Sequence, residues 1–325
     1  MATAKKANTP DIGFETVIQR LEESVRHHPT DGLLLSGGLD TSILAALASK
    51  WHQPDCITVA LKGAPAPDIE YAQKVAKLFH LPHDIHIFGD DELEEGLRNT
   101  IAVLRTFDPM EIRNSVAAHI GLKVARERGL ASVMTGDGGD ELFAGYSFFF
   151  DLSREQLDNA LKAMWANMNF SSIPLGHSLG IKVELPLLDP DFQEFAMKMD
   201  SGLKVREEKG QVWGKWILRK AFEGLLSPEI VWRVKAPLEV GTGTTTLPSL
   251  FAARVPDSAF KRKKAKYLQM DKVNIRSKEH LVYYEIYRNV IGPPVTSGKG
   301  QKCPDCGAAV KEKSNFCRTC GAYPV

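Results

Sequence analysis

The sequence lacks three features that define large classes of protein: a long apolar run, an apolar leader and an excess of one charge. No stretch of its 325 residues approaches the roughly 18 consecutive apolar residues that a membrane span needs. The segment from Met1 to Lys6 leads into polar residues, so no secretory signal is expected. The 41 Lys and Arg residues balance 40 Asp and Glu, so no global field attracts nucleic acid or anionic lipid. These absences predict a cytoplasmic protein without a membrane partner.

Cysteine is also scarce, and its placement is uneven. Of five cysteines, Cys56 stands alone and is expected in the core, and the others fall near the C-terminus. A disulfide scaffold would spread its cysteines through the fold. Two C-x-x-C pairs separated by ten residues instead predict a closed structural zinc site, formed by Cys303, Cys306, Cys317 and Cys320. A segment of about 24 residues has no adequate core, so the metal must supply its folding energy.

Composition divides the chain into four parts. Residues 1–13 read as a flexible tail, and residues 292–301, rich in Gly and Pro, read as a linker. The linker separates a main domain over residues 14–291 from a zinc ribbon over residues 302–325. At about 150 residues per domain, a chain of 325 residues is expected to contain roughly two domains.

The main domain begins with alternating strand and helix signals. Short apolar runs predict strands at residues 32–35, 56–61, 83–88 and 131–135, with helix patterns between them. Such alternation favours an α/β fold, a parallel sheet flanked by helices. Residues 153–233 have few strand signals and are expected to be mostly helical.

A glycine-rich turn follows the first predicted strand. It reads Ser36-Gly37-Gly38-Leu39-Asp40-Thr41-Ser42 and leads into a helix. Glycines let backbone N–H groups close around anionic oxygens, and the helix N-terminus adds positive potential. A carboxylate repels phosphate but suits magnesium. We therefore predict a phosphate loop rather than an ordinary turn.

A second glycine-rich turn, which is also acidic, follows the predicted strand at residues 131–135. It runs Thr135-Gly136-Asp137-Gly138-Gly139-Asp140-Glu141-Leu142-Phe143-Ala144-Gly145-Tyr146. Three carboxylates among closely spaced glycines at the end of a parallel strand are typical of a ligand crevice. An acidic solvated turn would not explain the glycine density.

Together these turns carry a resemblance to a known family. The first resembles S-G-G-x-D-S/T-S of ATP pyrophosphatases (the PP-loop superfamily), and the second resembles T-G-E-G-x-D-E-L-F-x-G-Y of the asparagine synthetase C-terminal domain. The segments at 106–115 and 232–241 agree, so the resemblance spans about residues 14 to 290. It implies an adenine nucleotide alpha hydrolase-like fold and cleavage of ATP to AMP and pyrophosphate. The cofactors implied are ATP and Mg²⁺, beside the structural Zn²⁺ expected from the cysteines.

The resemblance also implies residue roles. Asp40 and Asp140 match magnesium ligands, and Lys235 matches a lysine that stabilises charge at the α-phosphate. Asp137 stands where the family has Glu and is a candidate base, and Arg113 is a candidate for catalysis and substrate contact. The expected ATP-binding residues are Leu35, Ser36, Gly37, Gly38, Asp40, Thr41, Ser42, Val59, Leu61 and Gly136.

Three further positions depart from the family pattern. Lys182 and Glu184 exchange the signs of a family Glu and Arg, and Glu111 replaces a usual threonine. Lys182 and Glu184 could form a reversed ion pair, or Glu184 could belong to a changed substrate pocket. On the second interpretation Glu111 and Glu184 would contact substrate, which disfavours aspartate and favours a cationic or larger acid.

The N-terminus departs further. Glutamine-dependent members of the family have a nucleophilic cysteine directly after Met1, where this chain has Ala2. We therefore expect no glutaminase activity of its own. Nitrogen would come from ammonia, a partner amidase or an amine.

The sequence thus predicts an amide ligase that adenylates a carboxylate for attack by ammonia or an amine. A separate amidase or a carrier protein could dock on the zinc ribbon. Two alternatives stay open: an enzyme that adenylates an RNA base, and a nucleotide-binding protein without catalysis. The basic run at residues 261–266 keeps RNA open as a partner, although the amide-ligase motifs disfavour it.

Overall fold

The computed structural model describes residues 13–295, 301–312 and 314–325. The expected N-terminal tail, apart from residue 13, and residues 296–300 of the expected linker lie outside the described residues. The central feature is a five-stranded parallel sheet with strand order β3-β2-β1-β4-β5. Its strands are β1 (Gly32–Leu34), β2 (Asp55–Leu61), β3 (His83–Phe88), β4 (Ser132–Met134) and β5 (Lys182–Glu184). The predicted fold class is confirmed.

Helices cover both faces of this sheet. In the N-terminal half they are α1 (Phe14–His27), α2 (Leu39–Ala48), α3 (Asp68–Leu78), α4 (Asp90–Leu104), α5 (Pro109–Glu127) and α6 (Gly139–Leu142). The next are α7 (Arg154–Trp165), α8 (Ser172–Leu179), α9 (Pro190–Lys198), α10 (Trp216–Ala221) and α11 (Pro228–Val231). The last are α12 (Leu238–Gly241), α13 (Leu247–Arg254), α14 (Asp257–Asp271) and α15 (Lys278–Val290).

Side chains of the strands alternate between two cores, as the period of two in a strand requires. Leu33 and Met134 join one cluster with α1, α2 and α3, and Ile57 and Val133 join another with α4, α5 and α15. Because both faces are covered, the central strands are mostly apolar. Cys56 is buried in the first cluster, as expected.

The region at residues 153–233 contains five helices but also three short strands that the sequence did not indicate. One is β5 at the sheet edge, and the others form the antiparallel hairpin β6 (Val205–Glu208) and β7 (Gln211–Gly214). None of the described helices has both the length and the apolar character to cross a bilayer.

The strand order sets where a ligand can bind. The chain moves outward from β1 to β2 and β3, then returns to place β4 on the other side of β1. The loops after β1 and β4 therefore leave the sheet side by side at its carboxyl edge. This switch in direction creates the crevice in which parallel α/β sheets bind ligands.

Candidate active site

The loop after β1 is held in shape by its own hydroxyls. Ser36 Oγ accepts a hydrogen bond from Gly38 N at 3.2 Å and lies 3.0 Å from Thr41 Oγ1. Gly37 has a φ of 66°. A Cβ there would lie 2.4 Å from backbone atoms of Tyr71 and Ala72. Only glycine suits this position, since it tolerates the left-handed conformation and leaves room for α3.

The loop after β4 lies against the first loop. A Cβ on Gly139 would lie 2.5 Å from Asp40 Oδ1, and one on Gly145 would lie 1.9 Å from Asp140 Oδ1. Gly139 therefore lets the second loop approach Asp40 of the first loop closely, and Gly145 leaves room for Asp140 of its own loop. The glycine density of the second turn follows from this contact.

The two carboxylates converge on one buried cation. Lys215 Nζ lies 2.5 Å from Asp40 Oδ2 and 2.7 Å from Asp140 Oδ1. A second cation, Lys235, lies 3.1 Å from Asp140 Oδ2. The two strand ends therefore meet at a single charged cluster, formed by residues far apart in sequence.

Burial and charge act in opposite directions on these groups. Burial raises the pKa of Asp40 above its usual value, although Lys215 opposes the shift. Burial also acts to raise the pKa of Asp140, but the ion pairs with Lys215 and Lys235 outweigh it and hold that pKa below its usual value. The pKa of each carboxyl group therefore depends on the charge of the neighbouring lysines.

This pair fits a magnesium site. Asp40 Oδ1 is buried and accepts no hydrogen bond from the described residues. An unpartnered buried carboxylate oxygen is costly unless a ligand or ion satisfies it. Mg²⁺ binds through one or two carboxylates together with substrate phosphates, which is the donor set available here.

A cavity of about 250 Å³ opens beside the cluster. Most of the residues predicted from the sequence line it. They are Leu35, Ser36, Gly38, Asp40, Thr41, Val59, Gly136, Asp137, Asp140 and Lys235. Gly37, Ser42 and Leu61 do not line it. Ser42 is buried within α2, and Leu61 N donates to Thr242 O at 2.9 Å.

Among the acidic residues that line the cavity, Asp137 is the one with no Lys or Arg partner within the described part of the chain. Its carboxylate accepts hydrogen bonds from Ser172 and, at 3.0 Å, from Thr135 Oγ1. Burial raises its pKa above the usual value despite these bonds. A carboxylate with a raised pKa in a cavity is suited to accepting a proton.

Arg113 and Glu111 do not reach the cavity. The Arg113 guanidinium pairs with Glu239 and, at 2.9 Å, with Glu279. Glu111 accepts a hydrogen bond from Ser115 Oγ at 3.1 Å. The substrate contacts expected of Arg113 and Glu111 have no support in this geometry, because internal partners hold their side chains.

Glu184 does not line the cavity either. It pairs with Lys182, and its Oε2 lies 2.8 Å from His28 Nδ1. The other ring nitrogen of His28 lies 3.2 Å from Asp189. Burial acts to raise the pKa of Glu184, but Lys182 and His28 outweigh it and lower the pKa. This geometry favours the reversed ion pair over the changed substrate pocket.

Glu184→Gln separates these two interpretations. Because the folded pKa is depressed, the carboxylate adds stability above its unfolded pKa, and the benefit disappears as the pH falls through the folded value. The ion pair predicts a loss of about 1 kcal/mol in the free energy of unfolding at pH 7 that shrinks towards pH 4. Denaturant titrations at both pH values measure it. A changed KM for the acid substrate with unchanged stability would favour the pocket.

Several cavity residues were missed or given no role from the sequence. Arg233 pairs with Asp68 at 2.7 Å and approaches Ser36 O at 3.4 Å. Arg219, which is buried, donates to Val231 O and, at 3.1 Å, to Arg233 O. Lys215 interrupts the largely apolar run of residues 213–218, and Arg219 follows it directly. These charges in an apolar segment were the available signal. Arg219 fixes the segment that carries Arg233 and Lys235.

The four C-terminal cysteines form a second candidate centre. Their sulfurs all lie within 4.8 Å of one another, and all four residues are buried. The Sγ atoms of Cys303 and Cys320 are 3.6 Å apart, and those of Cys306 and Cys317 are 3.7 Å apart. A tetrahedral zinc with Zn–S bonds of about 2.3 Å has sulfurs about 3.8 Å apart, so the geometry fits zinc.

Residues 16–174 and 175–282 match the sequence model of the family described as asparagine synthase. The chain is 30% identical over 279 residues to a probable asparagine synthetase (glutamine-hydrolyzing) of Schizosaccharomyces pombe, covering 74% of this chain and 49% of that protein. It is 28% identical over 304 residues to asparagine synthetase B (glutamine-hydrolyzing) of Escherichia coli, covering 85% and 53%.

The chain therefore spans about half the length of these two relatives. Among solved structures, it is similar to the NMN synthetase of Francisella tularensis, with 13% identity and a TM-score of 0.38 over 88% of this chain and 97% of that one.

Proposed function

This chain belongs to the asparagine synthase family, and from that premise we propose that it is an ATP-dependent, AMP-forming amide ligase. Its substrates are a small carboxylic acid and ammonia or an amine. One observation carries the proposal. The ends of β1 and β4 bring Asp40 and Asp140 together at one cavity, where Lys235 pairs with Asp140 and which Asp137 also lines.

The phosphate loop is the proposed triphosphate site. Ser36 and Thr41 supply hydroxyls at the cavity, and Gly38 is the residue that precedes α2. Backbone N–H groups at the start of a helix favour anions. Arg233, held by Asp68 beside Ser36, adds a positive charge at the same place. Leu35 and Val59 give the cavity an apolar side suited to adenine.

Asp40 and Asp140 are the proposed protein ligands of Mg²⁺. When bound, the ion neutralises charge on the departing pyrophosphate. Lys215 lies between the same carboxylates and keeps them together in the buried cluster. Its charge offsets the repulsion between two neighbouring acids.

Lys235 is the proposed electrostatic catalyst of both chemical steps. In the first, a carboxylate oxygen of the acid attacks the α-phosphorus, and the bond to pyrophosphate breaks. In the second, the amine nitrogen attacks the acyl carbon, and AMP leaves with the pair of electrons of the broken C–O bond. Negative charge grows near the α-phosphate in each, and an ammonium placed there stabilises it.

Asp137 is the proposed proton acceptor for the nitrogen nucleophile. The amine loses a proton as the amide forms, and the raised pKa of Asp137 suits this role. Thr135 and Ser172 fix the orientation of its carboxylate. Because neither Glu111 nor Glu184 lines the cavity, their charges give no reason to disfavour aspartate as the acid.

We also propose the unit boundaries expected above: a synthetase unit over residues 14–291 and a zinc-binding module over residues 302–325. The four clustered thiols suit a reducing compartment, which supports the cytoplasm as the location.

Isotope exchange between pyrophosphate and ATP tests the proposed function. We expect exchange that requires Mg²⁺ and one member of a panel of amino and dicarboxylic acids that includes aspartate. Addition of ammonium should then yield an amide detectable by mass spectrometry. Exchange only with RNA would favour the base-adenylating alternative, and no exchange with any acid would favour a binding protein without catalysis.

A further inference from the structure

The cysteine module is attached to the synthetase unit through the turn that precedes α5. Phe107 N donates to Thr319 O at 2.8 Å, and Thr106 Oγ1 donates to Arg318 O at 2.7 Å. Both acceptors lie in the second cysteine knuckle, between Cys317 and Cys320. The turn and the knuckle are therefore joined by one main-chain hydrogen bond and by one from a side-chain hydroxyl to a main-chain carbonyl.

The same knuckle closes on the residue that begins α5. Asp108 is the N-cap of this helix, and its Oδ1 accepts from Met110 N at 3.1 Å. Gly321 has a φ of 73°, and a Cβ on it would lie 2.2 Å from Asp108 Oδ1. The backbone after Cys320 thus touches the N-cap carboxylate directly.

A second attachment fixes the other knuckle. Asp305, between Cys303 and Cys306, pairs with Arg276 at 2.9 Å and accepts from Asn274 N at 2.7 Å. Arg276 also donates to Cys320 O. The two knuckles are therefore held from the segment between α14 and α15 as well as from the turn before α5.

The interface has a buried core. Phe107 is fully buried, and its ring lies 5.1 Å from the ring of His280 and 4.9 Å from that of Tyr287, both on α15. The four cysteines belong to the same apolar cluster as these residues. The module is thus part of the core on one face of the sheet.

Helix α5 continues from this interface to the cavity. Ala117, Ala118 and Gly121, two to three turns into the helix, line the cavity. A helix moves as a rigid element, so the position of its N-cap influences the position of these residues. The cysteine module therefore contacts the start of α5, and residues further along the same helix line the cavity.

We propose that the metal-loaded cysteine module is an internal buttress, which holds the start of α5 and thereby the α5 wall of the cavity. In this role the module stabilises its own chain, whereas the docking role considered from the sequence would have it bind a separate protein. A segment of about 24 residues folds only with its metal, so metal occupancy and the order of α5 are coupled. The effect that this coupling is expected to have on the affinity for ATP rests on the proposed function.

Hydrogen–deuterium exchange of the full chain, with and without zinc removed by a chelator, tests the buttress. Zinc removal should raise amide exchange in peptides covering residues 106–121 at least fivefold. The affinity for ATP should fall by a similar factor, within the usual range of coupling between sites. Zinc content is measured in the same samples.

Arg276→Gln tests the contact without changing a metal ligand, and Arg254→Gln is its matched control. Arg254 pairs with Asp90 at 2.7 Å and does not contact the module. At full zinc content, only Arg276→Gln should raise exchange at residues 106–121. Unchanged exchange on zinc removal, or identical exchange in the two variants, would overturn the proposal. Zinc-loaded protein that binds no ATP would contradict the proposed function alone, because hydrogen–deuterium exchange is measured without nucleotide.

Discussion

Lys235→Gln is expected to lower the kcat of acid-dependent pyrophosphate exchange by about 100- to 1,000-fold. Lys235 Nζ lies 3.1 Å from Asp140 and 5.0 Å from the ring of Tyr146, at the edge of the cavity. Its positive charge stabilises the transition state most strongly, because negative charge grows at the α-phosphate as that state forms. The affinity for MgATP should change by no more than about threefold, because the phosphate loop is untouched.

The control for this prediction is Lys74→Gln, the same change at a lysine that pairs with Glu70 and Glu229 on the surface. It should leave kcat unaltered. Equal activity of Lys235→Gln and Lys74→Gln would contradict the role given to Lys235.

Asp40→Asn is expected to raise the Kd for MgATP by about 10- to 100-fold, with a matching rise in the Mg²⁺ concentration needed for binding. Asparagine keeps the shape of the side chain but removes the charge of a proposed ligand. Lys215 keeps Asp140 as its partner at 2.7 Å, so the cluster retains one ion pair.

Nucleotide titrations at several Mg²⁺ concentrations measure this effect, and thermal unfolding checks the fold. The control is Asp84→Asn, which changes a half-exposed aspartate paired with Arg128. If Asp40→Asn bound MgATP with unchanged affinity and Mg²⁺ dependence, Asp40 would not be a ligand.

Much of the fold could be predicted because hydrophobic patterning is local. The apolar runs at β1, β2 and β4 and the intervening helix patterns were sufficient for a parallel sheet. The strand β5 was missed because it has only three residues, two of them charged. The hairpin of β6 and β7 was missed because it is largely exposed, so no alternation of apolar residues marks it.

The candidate site was predictable where glycine and carboxylate stand together in a short segment. Lys215 was not predicted, because its partner Asp40 lies 175 residues away in sequence. A lysine next to apolar residues gives no sign of the acids that it meets in the fold.

The expected substrate residues show a different limit of sequence reasoning. Arg113 and Glu184 lie in motifs that resemble the family, but their side chains are held by Glu279 and His28. A motif fixes the spacing of residues along the chain. It does not fix which side chains face the cavity, since that depends on partners elsewhere in the sequence.

The most direct test of the account is a crystal structure of the protein with Mn²⁺ and a non-hydrolysable ATP analogue, with anomalous scattering used to locate the metal. The account predicts a metal peak within bonding distance of Asp40 and Asp140, bridging to phosphate oxygens, with the triphosphate along residues 36–42. A nucleotide bound elsewhere, or a metal that touches neither carboxylate, would contradict it.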